Sequence, residues 1–210
     1  MNLFNNVSTV ILANGKFPSK PLPLSLIEKA NYLVCTDGAA NEFISKGGIP
    51  DAIVGDCDSI SVENKKRFAE ILHPNHDQET NDLTKSVEFC VNNGKRDIII
   101  VGGTGKREDH TLGNISLLAE YIYVANVVMV TDWGIFTSIR EDAKFESFKG
   151  EQVSLFSIDQ KDITTQNLQY PLKNSILTNW WQGSLNRSMG SSFKIETKGR
   201  IIVYQAFGDN

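Results

Sequence analysis

Two aspartates that follow a short apolar run are the first residues in this chain that could do chemistry. Asp56 and Asp58 come directly after the run Ala52 to Val54 and Gly55. Carboxylates held this close repel each other unless a cation lies between them or one of them is protonated. Mg²⁺ is typically held by one or two carboxylates together with substrate phosphates, so the pair predicts a metal-phosphate site. The alternative is a polar turn that caps the helix expected from Val62.

A glycine-rich turn supplies the second candidate. The strongest strand-like run, Asp97 to Val101, leads directly into Gly102 to Gly105, and Lys106 and Arg107 follow. The turn fits neither the P-loop nor the dinucleotide fingerprint, because residues that each pattern requires are absent. Its free backbone N–H groups can still bind phosphate oxygens, and the two cationic side chains extend its reach. A tight structural turn with solvated charges is the alternative interpretation.

The elements that position these residues follow from alternating apolar runs and amphipathic segments. Strands are predicted at 9–13, 32–35, 52–54, 97–101 and 127–130, and helices at 39–46, 62–72, 80–93 and 111–123. The prolines at positions 18, 21 and 23 predict a loop after the first strand. This alternation predicts an α/β fold in which a parallel, Rossmann-like sheet is covered by helices on both faces.

The ends of the predicted strands favour a site at one edge of this sheet. The apolar runs end at Gly15, Asp37, Asp56, Gly102 and Asp132. Ligands of parallel sheets gather beyond the carboxyl ends of the strands. Acidic side chains and flexible backbone are therefore expected to meet there.

The pattern changes in the last third of the chain. Residues 152–158, 193–197 and 201–204 alternate between apolar and polar types, and no convincing helix separates them. We therefore expect an α/β domain at residues 1–144 and an all-β domain at residues 145–210.

Composition excludes several classes of partner. The 210 residues carry a formal net charge of -4, so a basic surface for nucleic acid is not expected. No apolar run approaches the length that spans a bilayer, and residues 1–15 lack the pattern of a signal peptide. The 3 cysteines are scattered without CxxC spacing, which favours reduced thiols and a cytoplasmic location.

Taken together, the motifs resemble those of the thiamine pyrophosphokinase family. They are, in order, residues 36–41, residues 50–59 with Asp56 and Asp58, residues 77–85, and residues 103–110 followed by Asn114. The resemblance continues through Leu168 to Leu172, so it covers most of the chain.

The resemblance implies an N-terminal domain that binds Mg·ATP, a C-terminal β-sandwich, and a homodimer that binds thiamine between its subunits. The family moves a diphosphate from ATP to the thiamine hydroxyl and releases AMP. By this resemblance the Mg²⁺ ligands and catalytic residues are Asp56, Asp58 and Asp82, with Asp37 as a further catalytic residue beside them. ATP and its phosphates would contact Lys85, Gly103, Thr104, Gly105, Arg107, Asp109, His110 and Asn114. Thiamine would contact Gln78, Ser184 and Asn186.

Trp180 and Trp181 lie just before Ser184, in the region where the family binds thiamine. A large aromatic face suits the cationic thiazolium ring, so both tryptophans are candidates for the thiamine site. Adjacent residues on a strand face opposite ways, so we expect at most one of them to stack on thiamine while the other packs inward. The alternative is that both are core or dimer contacts.

The chain departs from the family pattern at three positions, and two other functions stay open. Lys106 replaces a glycine, Asn81 replaces a threonine, and Leu185 stands where the acceptor region has a serine. One alternative is a phosphatase of the haloacid-dehalogenase type, because Asp56 and Asp58 also resemble its Asp-x-Asp motif. The other is a non-catalytic nucleotide-sensing module, which the leucine at the acceptor position would favour.

Overall fold

The computed structural model describes residues 9–208 and shows a mixed α/β protein with a large parallel sheet and antiparallel sheets. The described chain divides into two compact units, residues 9–117 with 123–132 and residues 118–122 with 133–208. The expected domains also included residues 1–8 and 209–210, which lie outside the described residues.

The first unit is built on the parallel sheet. Its strands are β1 (Thr9–Leu12), β2 (Tyr32–Thr36), β3 (Ala52–Gly55), β4 (Leu72–Pro74), β5 (Asp97–Val101) and β6 (Asn126–Val130). They lie in the order β6-β5-β1-β2-β3-β4, and each neighbouring pair is parallel. Every residue of β1 and β3 is buried, as expected for strands covered on both faces. Because β1 lies between β2 and β5, the connections leave it in opposite directions and open a crevice at its carboxyl end.

Helices connect these strands. They are α1 (Pro21–Glu28), α2 (Asp37–Ser45), α3 (Val62–Arg67), α4 (Asp82–Asn92) and α5 (Glu108–Tyr121). The prediction of a proline-rich loop is wrong from Pro21 onward, because a proline in the first turn of a helix sacrifices no hydrogen bond. The helix expected over 62–72 ends at Arg67, where a 3₁₀ turn and β4 follow. Between residues 9 and 208, no helix is long and apolar enough to cross a membrane.

The second unit is antiparallel. Its strands are β7 (Gly134–Ile139), β8 (Ala143–Glu146), β9 (Gln152–Ser157), β10 (Ile163–Gln166), β11 (Asn186–Arg187), β12 (Ser192–Thr197) and β13 (Ile201–Ala206). The order β11-β9-β13-β7 forms one group and β10-β12-β8 forms another, and buried side chains of both groups share one core around Phe193. We expected the β-rich part to begin near residue 145, whereas antiparallel pairing begins at Gly134. The four middle residues of β7 are all half-buried, so this strand carries no clear alternation in sequence.

Arg200 joins three segments of the antiparallel unit. Its Nη2 lies 2.7 Å from Asp159 Oδ1, and its backbone N–H donates to Asp159 Oδ2 at 2.8 Å. A further guanidinium nitrogen pairs with Glu120 near the end of α5. The hydrogen bonds from Arg200 lower the pKa of Asp159 below its usual value. The cluster therefore stabilises the fold more at neutral pH than in acid.

We predict that Asp159→Asn lowers the free energy of unfolding at pH 7 by about 1–3 kcal/mol, towards the lower end because the pair is partly exposed. The pKa of Asp159 is depressed in the folded chain, so its contribution is complete above the unfolded pKa of about 3.9 and is lost as the pH falls through the folded pKa. Urea unfolding at pH 7 and at about pH 3 measures this; the difference between parent and variant should shrink at the lower pH.

Asp162→Asn is the matched control, because Asp162 is exposed and three residues away in the same loop. It should change stability by less than about 0.5 kcal/mol. Superimposable unfolding curves for the parent and Asp159→Asn at pH 7 would contradict the stabilising role that we assign to Asp159.

Candidate functional site

Three carboxylates from separate segments meet at the carboxyl ends of β2 and β3. Asp37 begins α2, Asp56 follows β3, and Asp82 begins α4. One oxygen of each lies within 4.8 Å of the corresponding oxygens of the other two. Parallel pairing of β2 with β3 brings the first two together. Asn81 accepts a hydrogen bond from the Thr84 N–H at 2.9 Å, and this cap fixes the third in the first turn of α4.

Asp37 is the buried member of this acidic cluster. Its Oδ2 accepts a hydrogen bond from the Ser59 N–H at 2.9 Å, whereas its buried Oδ1 has no hydrogen-bond partner in the described chain. Burial raises the pKa of Asp37, and the neighbouring carboxylates of Asp56 and Asp82 raise it further. The backbone N–H of Asp58 lowers the pKa of Asp56. A buried oxygen without a donor, beside two more carboxylates, fits a hard cation such as Mg²⁺.

Asp58 lies outside the acidic cluster. It is exposed, and its backbone N–H donates to Asp56 Oδ1 at 3.0 Å. Cys57, between the two aspartates, has a left-handed φ of 64°, so the chain turns instead of continuing the alternation of β3. The metal-binding role expected for Asp58 stays a prediction that its position does not support.

Gly55 provides the space in which the acidic cluster forms. A Cβ at this position would lie 2.7 Å from the Cβ of Asp37 and 3.2 Å from Asp82 Oδ1. Lys85 follows one turn later in α4, is buried, and places its Nζ 3.4 Å from the same Asp82 oxygen. Because Gly55 has no side chain, the Asp37 and Asp82 side chains can approach β3 closely. Their carboxylates therefore lie near each other, with the buried Lys85 ammonium beside Asp82.

The glycine turn between β5 and α5 is held by its carbonyl groups. The Gly102 carbonyl accepts from the Gly15 N–H at 2.7 Å, and the Thr104 carbonyl accepts from the Lys16 N–H at 2.7 Å. Between them, the Gly103 carbonyl accepts from the Asn114 side-chain amide at 2.8 Å. In a planar trans peptide the C=O and N–H point in opposite directions, so the N–H groups of residues 103 and 104 point away from these contacts. Successive N–H groups of this kind can bind an anion.

A cleft of about 350 Å³ lies at the end of β1, where the strand order reverses. Of the residues predicted for the site, it is lined by Asp82, Gly103, Thr104, Arg107, His110 and Asn114. It is also lined by Ala13, Asn14, Gly15, Thr36, Ser59, Asn81, Leu83, Lys106 and Thr111. Sequence reasoning did not assign Asn14, although Asn14 and Gly15 close the first apolar run and so mark the edge of the sheet.

Asp132 binds the C-terminal end of the segment 14–20. Its carboxylate accepts hydrogen bonds from the Ser19 N–H at 3.0 Å, the Ser19 hydroxyl at 2.6 Å and the Lys20 N–H at 3.1 Å. The near end is bound to the glycine turn through Gly15 and Lys16. One wall of the cleft is therefore anchored at both ends.

Comparison with known proteins decides between the interpretations. The family model of the thiamin pyrophosphokinase catalytic domain matches residues 24–131, and that of the substrate-binding domain matches residues 134–204. The chain belongs to the thiamin pyrophosphokinase family. It is therefore a transferase of the kinase type, and the phosphatase and the non-catalytic module are not favoured.

Individual relatives agree with the family models. Thiamine pyrophosphokinase 1 of Oryza sativa subsp. japonica is 30% identical over 200 residues, which cover 80% of this chain and 75% of the relative. Thiamin pyrophosphokinase 1 of Caenorhabditis elegans is 34% identical over 117 residues, 51% of this chain and 48% of the relative. The crystal structure of thiamine pyrophosphokinase from Bacillus subtilis has a TM-score of 0.79 at 20% identity, covering 96% of this chain and 100% of that one, and so shares its fold.

Within this thiamin pyrophosphokinase, the cationic side chain expected at the phosphates is already paired. Arg107 donates from Nε to Asp109 Oδ1 at 3.1 Å and from Nη2 to the other carboxylate oxygen. The pair lowers the pKa of Asp109 to about 2. The backbone N–H of His110 also donates to Asp109, at 2.9 Å, in the first turn of α5. Gly105 donates its N–H to the Thr111 hydroxyl at 3.3 Å and is exposed beside the cleft.

The residues expected at thiamine are divided between the two units. Gln78 is exposed in a loop of the parallel unit, where its amide donates to the His76 carbonyl. In the antiparallel unit Trp180 and Trp181 lie in a 3₁₀ helix, so the expectation that they face opposite ways along a strand is wrong in its premise. Their environments still differ, because Trp180 packs edge-on against Phe156 with ring centroids 5.7 Å apart and Trp181 is 72% exposed.

The other two expected thiamine residues are engaged within the chain. Ser184 donates its hydroxyl to the Trp181 carbonyl at 2.7 Å. Asn186 is buried and binds Tyr170 twice, accepting from its N–H at 3.0 Å and donating to its carbonyl at 2.7 Å. Asn186 Oδ1 also accepts from the Arg187 N–H at 2.9 Å. A position-holding role for Asn186 is thus visible, and its contact with thiamine stays a prediction.

We predict that Asp37→Asn removes the stabilisation of the fold by Mg²⁺ while Asp58→Asn retains it. At a Mg²⁺ concentration 100 times its Kd the parent should gain about 2.7 kcal/mol, and a neutral amide at the buried position should forfeit most of that gain. Without metal, Asp37→Asn should unfold no more easily than the parent, because a buried charge beside two others is removed. Thermal unfolding with and without Mg²⁺ measures both effects. If Mg²⁺ fails to stabilise Asp58→Asn but still stabilises Asp37→Asn, the metal ligand is Asp58, as the motif resemblance implies, and not Asp37.

Proposed function

We propose that the acidic cluster and the adjoining cleft form the site at which ATP donates its terminal diphosphate to the hydroxyl of thiamine, with release of AMP. The observation that carries this proposal is the buried Asp37 Oδ1, which lies beside Asp56 and Asp82 and has no hydrogen-bond partner among residues 9–208. Asp82 belongs both to this cluster and to the lining of the cleft. A cation at the cluster would therefore adjoin a polyphosphate in the cleft.

The donor set suits Mg²⁺. Asp37, Asp56 and Asp82 offer hard carboxylate oxygens from three rigid starting points, namely a strand end and two helix starts. In our proposal these three hold the metal, and Asp37 takes the place given to Asp58 by motif resemblance. When bound, Mg²⁺ supplies positive charge to the phosphate oxygens and lowers the barrier to transfer.

The chain itself supplies the remaining phosphate contacts. Gly103 and Thr104 line the cleft, their backbone N–H groups are the donors that we propose for the phosphate oxygens, and the start of α5 adds its dipole. Lys85 adds a buried ammonium beside Asp82. Asn114 acts through the turn, because its amide is bound to the Gly103 carbonyl. Phosphoryl-type transfer needs mainly such positioning and charge stabilisation, and no covalent nucleophile.

For the acceptor, we propose that the antiparallel unit is a β-sandwich that binds thiamine and forms a homodimer, as the resemblance implies. The shared core of its two strand groups supports the sandwich interpretation. Large apolar side chains exposed on this unit support an interface: Trp133, Phe148, Tyr170, Ile176, Trp181, Leu185 and Met189. Trp181 offers an aromatic face to the cationic thiazolium ring, an interaction worth about 2 kcal/mol when desolvated.

We also place the enzyme in the cytoplasm. The free thiols of Cys35, Cys57 and Cys90 are all buried, and burial raises the pKa of each. Buried, unpaired thiols suit a reducing compartment.

The decisive experiment is incubation with Mg·ATP and thiamine, with the products identified by mass. Thiamine diphosphate and AMP are expected; release of inorganic phosphate without AMP would support the phosphatase alternative. Tight ATP binding without any turnover would support the nucleotide-sensing alternative.

We predict that Asp56→Asn lowers kcat on the order of 10²-fold or more, because one carboxylate of the metal site is lost. The variant should fold normally, since Asp56 is only half-buried. Steady-state rates with saturating Mg·ATP, together with a circular dichroism spectrum, measure this. A near-normal rate in the folded variant would remove Asp56 from the site.

We predict that Trp181→Ala raises the KM for thiamine about tenfold with little change in the KM for ATP, because an exposed aromatic face is lost. Trp180→Ala should chiefly destabilise the fold, because the tryptophan packs on Phe156. Tyr123→Ala is the control, because Tyr123 is an aromatic side chain that is 57% exposed on the parallel unit. Equal thiamine KM values in all three folded variants would move the thiamine site elsewhere.

A further inference from the structure

Lys106 lies in the lining of the cleft, and within residues 9–208 its ammonium makes no salt bridge to a carboxylate. Its Nζ instead donates to the neutral amide oxygen Asn14 Oδ1, at 3.1 Å. The other strongly basic residue in the cleft lining, Arg107, is held by both oxygens of Asp109. Lys85 lies beside Asp82 in the acidic cluster. The positive charge available to an incoming anion is therefore that of Lys106.

Asn14 fixes where this charge is held. A Cβ on Gly38 would lie 2.1 Å from Asn14 Nδ2, so the amide of Asn14 is seated directly against the first turn of α2. That turn begins with Asp37. The carbonyl oxygen of the same amide receives the Lys106 ammonium. Asn14 thus links the helix that carries the buried carboxylate to the residue that follows the glycine turn.

An amide oxygen can hold an ammonium without neutralising it. A phosphate oxygen carries negative charge and therefore attracts the ammonium by a Coulomb interaction that the neutral amide oxygen lacks, so a phosphate oxygen would displace the amide oxygen. Two of the five N–H groups of Arg107 donate to Asp109, and the negative charge of this carboxylate offsets the positive charge of the guanidinium, which weakens its attraction for a phosphate. A phosphate is therefore expected to bind Lys106 in preference to Arg107.

We infer that Lys106, held on Asn14, anchors the polyphosphate of the nucleotide in this cleft, and that Arg107 contributes less to its binding. This inference rests on the proposed nucleotide site and names its principal cation. Lys106 stands where the family pattern has a glycine, so the anchor is a feature of this chain.

The test compares ligand binding to full-length variants by isothermal titration calorimetry. The probes are Mg·ATP and inorganic tripolyphosphate, and the variants are Lys106→Gln, Lys106→Arg, Arg107→Gln and the control Lys29→Gln. Lys29 is an exposed lysine at the end of α1. We expect Lys106→Gln to weaken both probes about tenfold or more, Lys106→Arg to restore most of the affinity, and Arg107→Gln to change it by less than about threefold.

Two failures are distinguishable. If the parent binds neither probe, the nucleotide site itself is wrong. If the parent binds both and Lys106→Gln binds as tightly as Lys29→Gln, the site stands and the assignment of Lys106 is overturned. A tenfold loss confined to Arg107→Gln would also overturn it, because the paired guanidinium would then be the anchor. Both substituted side chains are exposed, so each variant should fold, which a thermal unfolding curve confirms.

Discussion

The buried carboxylate of Asp37 is the constraint on which the rest of the site depends. Removing an ionised carboxylate from water costs several kcal/mol unless partners compensate for the lost hydration. The chain supplies one N–H, from Ser59, and then places Asp56 and Asp82 nearby, which adds repulsion. Folding alone gains nothing from such an arrangement. We interpret it as a preformed binding site whose missing partner is a cation.

The topology explains why this cost is tolerated at this place. Parallel neighbours β2 and β3 end at the same edge, so their following residues meet without any special loop. The crevice beside β1 opens because β2 and β5 lie on its two sides and their connections diverge. Hydrogen bonds from Gly15 and Lys16 then tie the loop after β1 to the glycine turn, and Asp132 holds the end of that loop. The residues that we propose as metal ligands and phosphate donors are consequently positioned by the sheet itself.

The sequence contained most of this arrangement, but its spacing favoured the pair Asp56 and Asp58, whereas the structure brings Asp56 together with Asp37 and Asp82. Strand ends and periodic helices predicted the parallel sheet, and the coincidence of Asp37 and Asp56 at strand ends predicted a shared edge. The spacing of Asp56 and Asp58 suggested that both carboxylates face one ligand. The chain turns at Cys57, which has a left-handed conformation, and Asp58 is exposed; a single backbone dihedral of this kind leaves no signal in the hydrophobic pattern.

Other parts of the fold and of the candidate site could not be predicted from the sequence, each for a different physical reason. The strand β7 has half-buried residues on both faces, so it lacks the alternation by which strands are found. The helix α1 was hidden by prolines that its first turn can accept. Asn14 and Asp132 act through contacts with residues 92 and 113 positions away, on Lys106 and Ser19. Tertiary contacts over such separations follow from the strand order, which the sequence alone did not give.

The region predicted to bind thiamine contains a residue, Asn186, whose side chain holds the backbone in place. The amide of Asn186 is occupied by the backbone of Tyr170 and by Arg187, so its side chain sets the course of the segment around Tyr170. The neighbouring Leu185 has a left-handed φ of 60° and a 68% exposed side chain, a conformation that costs a non-glycine residue about 1–2 kcal/mol. The Leu185 N–H is held by the Ser154 hydroxyl at 3.2 Å. The fold alone gives no reason to keep an exposed leucine in this conformation, and a binding surface would. This is why we propose that the turn contacts thiamine or the partner in the proposed homodimer.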